Sequence, residues 1–415
     1  MMGNNLKHHG LENGVNVYFY KDKTKHSVYF NLIVKYGARN NEFEINNKKY
    51  IINNGMAHFL EHFVSEKNNY GDLGEILGSK QIKSNANTSY YRTIYHFTAT
   101  NNISYGVKTM IRGVNNVSIE EWKLAKTKPP IYREISRDKD DVLAASNALL
   151  IKNSLIKNKY RSILGTIEDI DSINLENAKL CYNVFYQPKN QVIIIGGNFD
   201  EEKMLSLIKK CYSNIDKKNI NYKMLNLYDS KEVIQKYEKY EMATGKPLIT
   251  ICYKLEIGDL SGKDRINFGI YMRFMFYMNF GIFSNTYKKL IKEKIISSEI
   301  NFSISAFDNV LLVRISSYTE QGSLFLKTIE ETVKKRIFNK ELFELIRTDV
   351  ITRVSIRPDD LKLMINVLAS NITMFNYDKF DTIEDIKAIT EEKYKSIIDN
   401  LDFSNYTVVE IVPNK

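Results

Sequence analysis

The sequence predicts an α+β fold built as two similar domains, and three observations carry that expectation. At 415 residues the chain is too long for one ordinary core and suits two domains of roughly 200 residues each. One order of elements (strand, helix, strand pair, helices, strand) occurs twice along it. A polar stretch from Tyr212 to about Glu238, with NIDKKNINYK near its start, separates the two cycles. The domains are therefore expected at 1–215 and 241–415, with 216–240 as the linker.

The first cycle opens with GVNVYFY (14–20) and SVYFNLIVKY (27–36), rich in β-branched and aromatic residues, which read as strands. The charged turn 21–25 is expected to join them as a hairpin. GMAHFLEHF (55–63) then lies on a helix, entered after Asn53 and Asn54, which are good N-cap types. SNANTSYYRTIYHFTAT (84–100) reads as a strand pair, residues 103–180 as largely helical, and QVIIIGG (191–197) as a closing strand. The second cycle runs through the strand PLITICYKL (247–255), a long helix from about Asp264 and a strand pair near 299–317. Helices near 321–335, 340–354 and 358–375 and a terminal strand at 406–412 complete it. The parallel is one of order, not of individual residues.

Composition excludes several classes. The hydrophobic share of 43% and charged share of 26% are those of a globular protein, and residues 1–9 do not resemble a signal peptide. NFGIYMRFMFYMNFGIF (267–283) is interrupted by Arg273 and Asn279, so it reads as a helix buried in protein and not as a membrane span. Cys181, Cys211 and Cys252 are scattered, odd in number and without CxxC spacing. That pattern fits a reducing cytoplasm and opposes both a disulfide framework and a thiolate zinc site. The net charge of +10 is dispersed, and its densest run, 288–294, falls at helical spacing. No dedicated nucleic-acid surface is expected, while a peptide substrate with acidic stretches is compatible with the charge.

The chemistry concentrates in GMAHFLEHF, which holds two of the six histidines. On a helix His58, Glu61 and His62 fall within an arc of about 100°. Met56, Phe59, Leu60 and Phe63 lie largely on the other side and can anchor it. Two imidazoles at i and i+4 can meet one zinc ion, and a carboxylate beside them can take a proton from its water, whose pKa zinc lowers towards about 7. HxxEH is the mirror order of HExxH and marks the inverzincins.

A catalytic zinc takes a third protein ligand. No histidine follows His96. His8, His9 and His26 sit in the N-terminal tail and hairpin turn, where surface exposure explains them, and His96 reads as a strand core residue. A carboxylate from a distant helix is the leading option. IYREISRDKDD offers Glu134, flanked by Ile131 and Ile135, with Asp138 one turn later; Glu120 and Glu121 are rivals at an exposed helix start.

HFLEH followed by REI (133–135) resembles the pitrilysin/insulysin family of zinc peptidases, which includes mitochondrial processing peptidase. Further landmarks resemble it too: Leu11-Glu12-Asn13-Gly14, Tyr36-Gly37-Ala38-Arg39, Asn85-Ala86-Asn87-Thr88 and Gly165-Thr166 with Ile170. Tyr186-Gln187-Pro188-Lys189-Asn190 and Gly196-Gly197-Asn198-Phe199 extend the match over most of the first half. The second half is similar more weakly, mainly through 281–302. The resemblance implies two homologous domains, each a mainly antiparallel sheet packed with helices, arranged as a half-clamp with one Zn2+ in the first. It implies His58, His62 and Glu134 as ligands and Glu61 as general base. It also implies that the strand carrying Asn85, Ala86 and Asn87 binds an extended peptide by β-augmentation.

Three departures matter. Thr127 stands where many members carry a second glutamate seven residues before the ligand glutamate. Lys292 and Glu299, or Ile291 and Ser298 one residue earlier, replace a substrate-holding arginine and tyrosine. The sequence spans two domains, whereas long members have four. These features resemble short bacterial members that pair with an identical or related chain. The expected function is a cytoplasmic zinc endopeptidase for short or unfolded peptides, with peptide maturation as its expected role. The alternative is a peptide-binding or scaffolding subunit of a peptidase heterodimer. A metallohydrolase of unrelated fold would require the strand and glycine landmarks to be accidental.

Overall fold

The computed structural model describes residues 5–66, 71–156, 162–215, 219–225 and 228–414. The chain forms two compact units. The first comprises Met1–Ile135, Arg161–Leu225 and Arg357–Phe380; the second comprises Ser136–Tyr160, Asn226–Ile356 and Asp381–Lys415.

The first unit contains strands β1 (Leu6–Gly10), β2 (Asn16–Lys21), β3 (Val28–Val34), β4 (Glu42–Ile45), β5 (Lys48–Ile51), β6 (Lys83–Thr88), β7 (Thr93–Ala99), β8 (Gln191–Gly197) and β9 (Lys223–Met224). Six of them form one sheet in the order β1-β2-β8-β3-β7-β6, antiparallel throughout except for the β2/β8 pair. The expected hairpin of 14–20 with 27–36 is therefore wrong: both strands exist, but β8 lies between them. Its run of Val and Ile supplies a centre buried on both faces, which a hairpin of β2 and β3 would lack. One face carries Val17, Phe19, Phe30, Leu32, Ile193 and Ile195 into the main core. The other carries Tyr18, Tyr20, Tyr29, Ile33, Val192 and Ile194 against the helix Leu361–Phe375.

That helix comes from the second half of the sequence, so the units do not follow the division 1–215, 216–240 and 241–415. Its apolar stripe of Leu361, Met364, Ile365, Leu368 and Ala369 is buried on the first sheet. Each large side chain there contributes about 1.5–3 kcal/mol. Arg92, at the start of the β7 side of the β6–β7 turn, secures it further by donating to Ala369 O (2.9 Å), Ser370 Oγ (3.0 Å) and Thr373 Oγ1.

The second unit holds β10 (Tyr237–Met242), β11 (Leu248–Glu256), β12 (Asn301–Phe307), β13 (Val310–Tyr318) and β14 (Tyr406–Pro413) in the order β10-β14-β11-β13-β12. β10 and β14 are parallel, and the remaining neighbours are antiparallel. Without the extra edge strand β1, the first sheet visits its positions in the same chain order and with the same directions. The duplication also reaches individual residues, which the sequence reading missed. TIEDI occurs at 166–170 and 382–386. In both copies the threonine hydroxyl and the aspartate three residues on close a capping box.

The linker expected at 216–240 is partly structured. Residues 216–218 and 226–227 lie outside the described residues. β9 pairs with β4, β10 begins at Tyr237, and Asp229 is buried. Residues 6–9 are likewise more than a tail, since β1 pairs along β2 and stacks His8 on Tyr18. The stretch 267–283 falls mainly in the helix Gly262–Phe280, which buries Phe274, Met275 and Phe276. Among the described residues no helix is long and apolar enough to cross a membrane.

His96 of β7 is half-buried beside Tyr29, at a ring separation of 5.6 Å. Burial, then the charge of Lys362, pushes its imidazolium down to about 4. The unfolded chain binds this proton below about pH 6.5 and the folded chain only near 4, so stability falls as pH drops through that interval. Thermal melts at pH 7 and pH 5 check this. The wild type should lose more than a His96→Phe chain does, and equal losses would remove His96 as the cause.

Candidate metal centre

Helix α1 (Met56–Glu66) is fixed at its entrance by a meeting of two backbones. Gly55, at φ +79°, accepts from Phe59 N (2.7 Å), and a Cβ on it would lie 2.4 Å from Leu164 O. Gly165, at φ +76°, returns the approach, its Cβ position being 2.9 Å from Asn54 O. Side chains are excluded on both counts. Asn53 and Asn54 do not cap the helix as expected: Asn53 donates to the Ser172 hydroxyl, and Asn54 accepts from Asn41. Met56, Phe59, Leu60 and Phe63 are buried in the core, which leaves His58, Glu61 and His62 on the opposite edge.

Glu134 lies on a separate helix, Glu121–Lys139, where the buried Ile131 and Ile135 set its rotation. His58 Nε2 is 3.2 Å from Glu134 Oε2, and His62 Nε2 is 3.5 Å from Glu134 Oε1. The two rings meet edge to face at 4.7 Å. Two donors on a tetrahedral zinc, each bonded at 2.0–2.1 Å, sit about 3.3 Å apart, so these side chains fit the ion. Among the described residues, His58, His62 and Glu134 form a cluster able to hold a metal. Glu120 instead accepts from the Trp122 indole at 2.8 Å, Glu121 starts the helix that bears Glu134, and Asp138 is exposed further along it.

Glu61 is 8% exposed, and its Oε2 is buried without a hydrogen-bond partner. Burial raises its carboxyl above the usual range; the nearby His58, a bond from Thr88 and His62 act the other way, and Glu134 adds to the rise. Behind it Tyr95 and Tyr186 share a buried hydroxyl contact of 2.9 Å. His62 Nδ1 lies 3.0 Å from Glu66 Oε1. Glu66 escaped the sequence reading, although it stands at i+4 from His62, a spacing that signals contact, and Thr88 entered it only as a landmark residue.

Asn85, Ala86 and Asn87 lie on β6, the last strand of the sheet, paired to His96, Tyr95 and Ile94 of β7. Ala86 N donates to the Asn85 side chain at 2.9 Å, so this amide is free of the β7 ladder. Beside it a cavity of about 180 Å3 is lined by Glu61, His62, Glu66, Ser84, Asn85 and Ala86, among others. In the second unit Lys292 ends the helix Asn285–Lys292, and Glu299 is exposed before β12.

Two family models match the chain in tandem. Residues 16–166 match Insulinase (Peptidase family M16), and residues 172–348 match the Peptidase M16 inactive domain. The chain belongs to the M16 insulinase family. An uncharacterized zinc protease of Bacillus subtilis, YmfH, is 25% identical over 419 residues, spanning 98% of this chain and 96% of the relative. An uncharacterized zinc protease of Rickettsia bellii is 26% identical over 213 residues, about half of each chain (49% and 49%). Among solved structures, an M16-like peptidase of Alicyclobacillus acidocaldarius superposes with TM-score 0.91 at 20% identity, covering 99% of this chain and 98% of its own. That likeness establishes the two-domain M16 fold. Curated M16 relatives are thus named zinc proteases, and this chain carries a His-His-Glu cluster that fits the metal.

Proposed function

We propose that the chain is a zinc-dependent endopeptidase acting on short or unfolded peptides. The observation that carries the reading is the convergence of His58 Nε2 and His62 Nε2 on the two oxygens of Glu134, with the Glu61 carboxylate buried alongside. Zinc held by these three residues supplies Lewis acidity towards a peptide carbonyl and lowers the pKa of a water to about 7. Glu61 Oε2, which has no other partner, takes the proton of the attacking water and passes it to the leaving amine. An extended peptide adds to β6, its carbonyl replacing the Asn85 side chain on Ala86 N–H. Backbone pairing of this kind favours unfolded segments over a fixed sequence.

The reading includes a partner, identical or related, that supplies the substrate-holding groups which Lys292 and Glu299 do not. It also includes a reducing, cytoplasmic setting, in keeping with three buried free cysteines, and a role in peptide maturation. Metal analysis is expected to find about one zinc per chain. Chelation should abolish cleavage of a mixed peptide library, and added zinc should restore it. Cleavage that persists in zinc-free protein would sink the proposal.

Lys292 and Glu299 favour a second reading, a peptide-binding subunit with little turnover of its own. Assays of the chain alone and then with a related M16 chain separate the two. Activity confined to the mixture supports shared catalysis. Zinc-loaded protein inert in both, against a broad peptide set, supports the binding role.

A further inference from the structure

The two histidines of α1 are not held alike. His58 Nδ1 is buried without a hydrogen-bond partner, whereas His62 Nδ1 has Glu66 Oε1 at 3.0 Å. A carboxylate accepts and cannot donate, so this contact requires the proton on Nδ1. The lone pair then sits on Nε2, the nitrogen that faces Glu134. Thr127, seven residues before Glu134 on the same helix, turns its buried hydroxyl back onto Lys123 O at 3.0 Å and offers no carboxylate.

We infer that Glu66 is the positioning residue of the metal centre, fixing the tautomer and ring orientation of His62 so that Nε2 is presented to the ion. The inference rests on the metal reading above. It assigns the orienting task to the same helix that carries the ligand, one turn onward, while His58 Nδ1 has no hydrogen-bond partner among the described residues. Loss of such a carboxylate typically weakens metal binding about 10- to 100-fold.

The test is zinc competition against a chromophoric chelator for the wild type, Glu66→Ala and Glu66→Gln. Selective 15N-histidine NMR of the zinc-free proteins reads the His62 tautomer independently. Glu66→Ala is expected to bind zinc about 10- to 100-fold more weakly and to show mixed His62 tautomers. Glu66→Gln, whose amide oxygen still accepts from Nδ1–H, should keep the Nδ1–H form and recover much of the affinity. If Glu66→Ala matches the wild type in affinity and tautomer, the inference is overturned while the metal reading stands. A wild type that takes up no zinc overturns both.

Discussion

Glu61→Gln should leave zinc in place and slow peptide hydrolysis by about 10²- to 10⁴-fold, the usual contribution of a positioned general base. The metal stays because Glu61 is outside the donor set of His58, His62 and Glu134. The rate falls because an amide of the same shape cannot take a proton. The loss should appear in kcat with KM nearly unchanged, as for a group acting only in the transition state. Burial raises the Glu61 carboxyl, so replacing it with a neutral group removes a desolvated charge, and the melting temperature should hold or rise. Zinc content, steady-state kinetics on one cleaved peptide and a thermal melt together decide the matter. Wild-type turnover in a zinc-loaded Glu61→Gln chain would end the base assignment.

The second large effect concerns stability. Lys254 of β11 has a side chain with 0% exposure, and its ion-pair partner Asp229 has 1%. Lys254 Nζ donates to Asp229 Oδ1 (3.0 Å), Ser154 O (2.7 Å) and Glu232 O (2.7 Å). One ammonium thus ties the end of the helix Val142–Ser154, the segment before β10 and a central strand of the second unit. Burial lowers the Lys254 pKa and Asp229 opposes the shift, which places the pair's worth in its geometry. Lys254→Met leaves the buried Asp229 carboxylate without its countercharge and two carbonyls without this donor, at an expected cost of about 3–5 kcal/mol. Adding Asp229→Asn should recover part of it by removing the uncompensated charge. Native-state hydrogen exchange of the β11 amides reads this unit directly. A loss below about 1 kcal/mol, far under the usual cost of breaking such a pair, would show that the contact is dispensable.

What could be read from the sequence follows from the range of each signal. The helix bearing His58, Glu61 and His62 was legible because its chemistry and its apolar anchors repeat within a few residues. Glu134 could be narrowed to a few carboxylates by local reasoning, and only family likeness singled it out. Strands β3, β7, β8 and β13 were legible as apolar or alternating runs. β1, β9 and β10 were not, being short, polar and at or near sheet edges. The false hairpin shows the limit of locality: sequence neighbours β2 and β3 are parted by a strand from far along the chain. Lys254 carried no warning either. In PLITICYKL it has the look of a solvated strand end, and only the neighbouring carbonyls and Asp229 reveal a fully enclosed ammonium.

The exchange of helices has a consequence for biosynthesis. While the ribosome is still adding the second half, the sheet behind the metal helix shows Tyr18, Tyr29, Ile33 and Ile194 to water, because residues 361–375 do not yet exist. The nascent chain must therefore carry an uncovered, sticky surface through most of translation, in which state chaperones find their clients and aggregates begin. Emergence of residues 361–375, not of residue 215, marks the earliest moment at which the first unit can close its own interior.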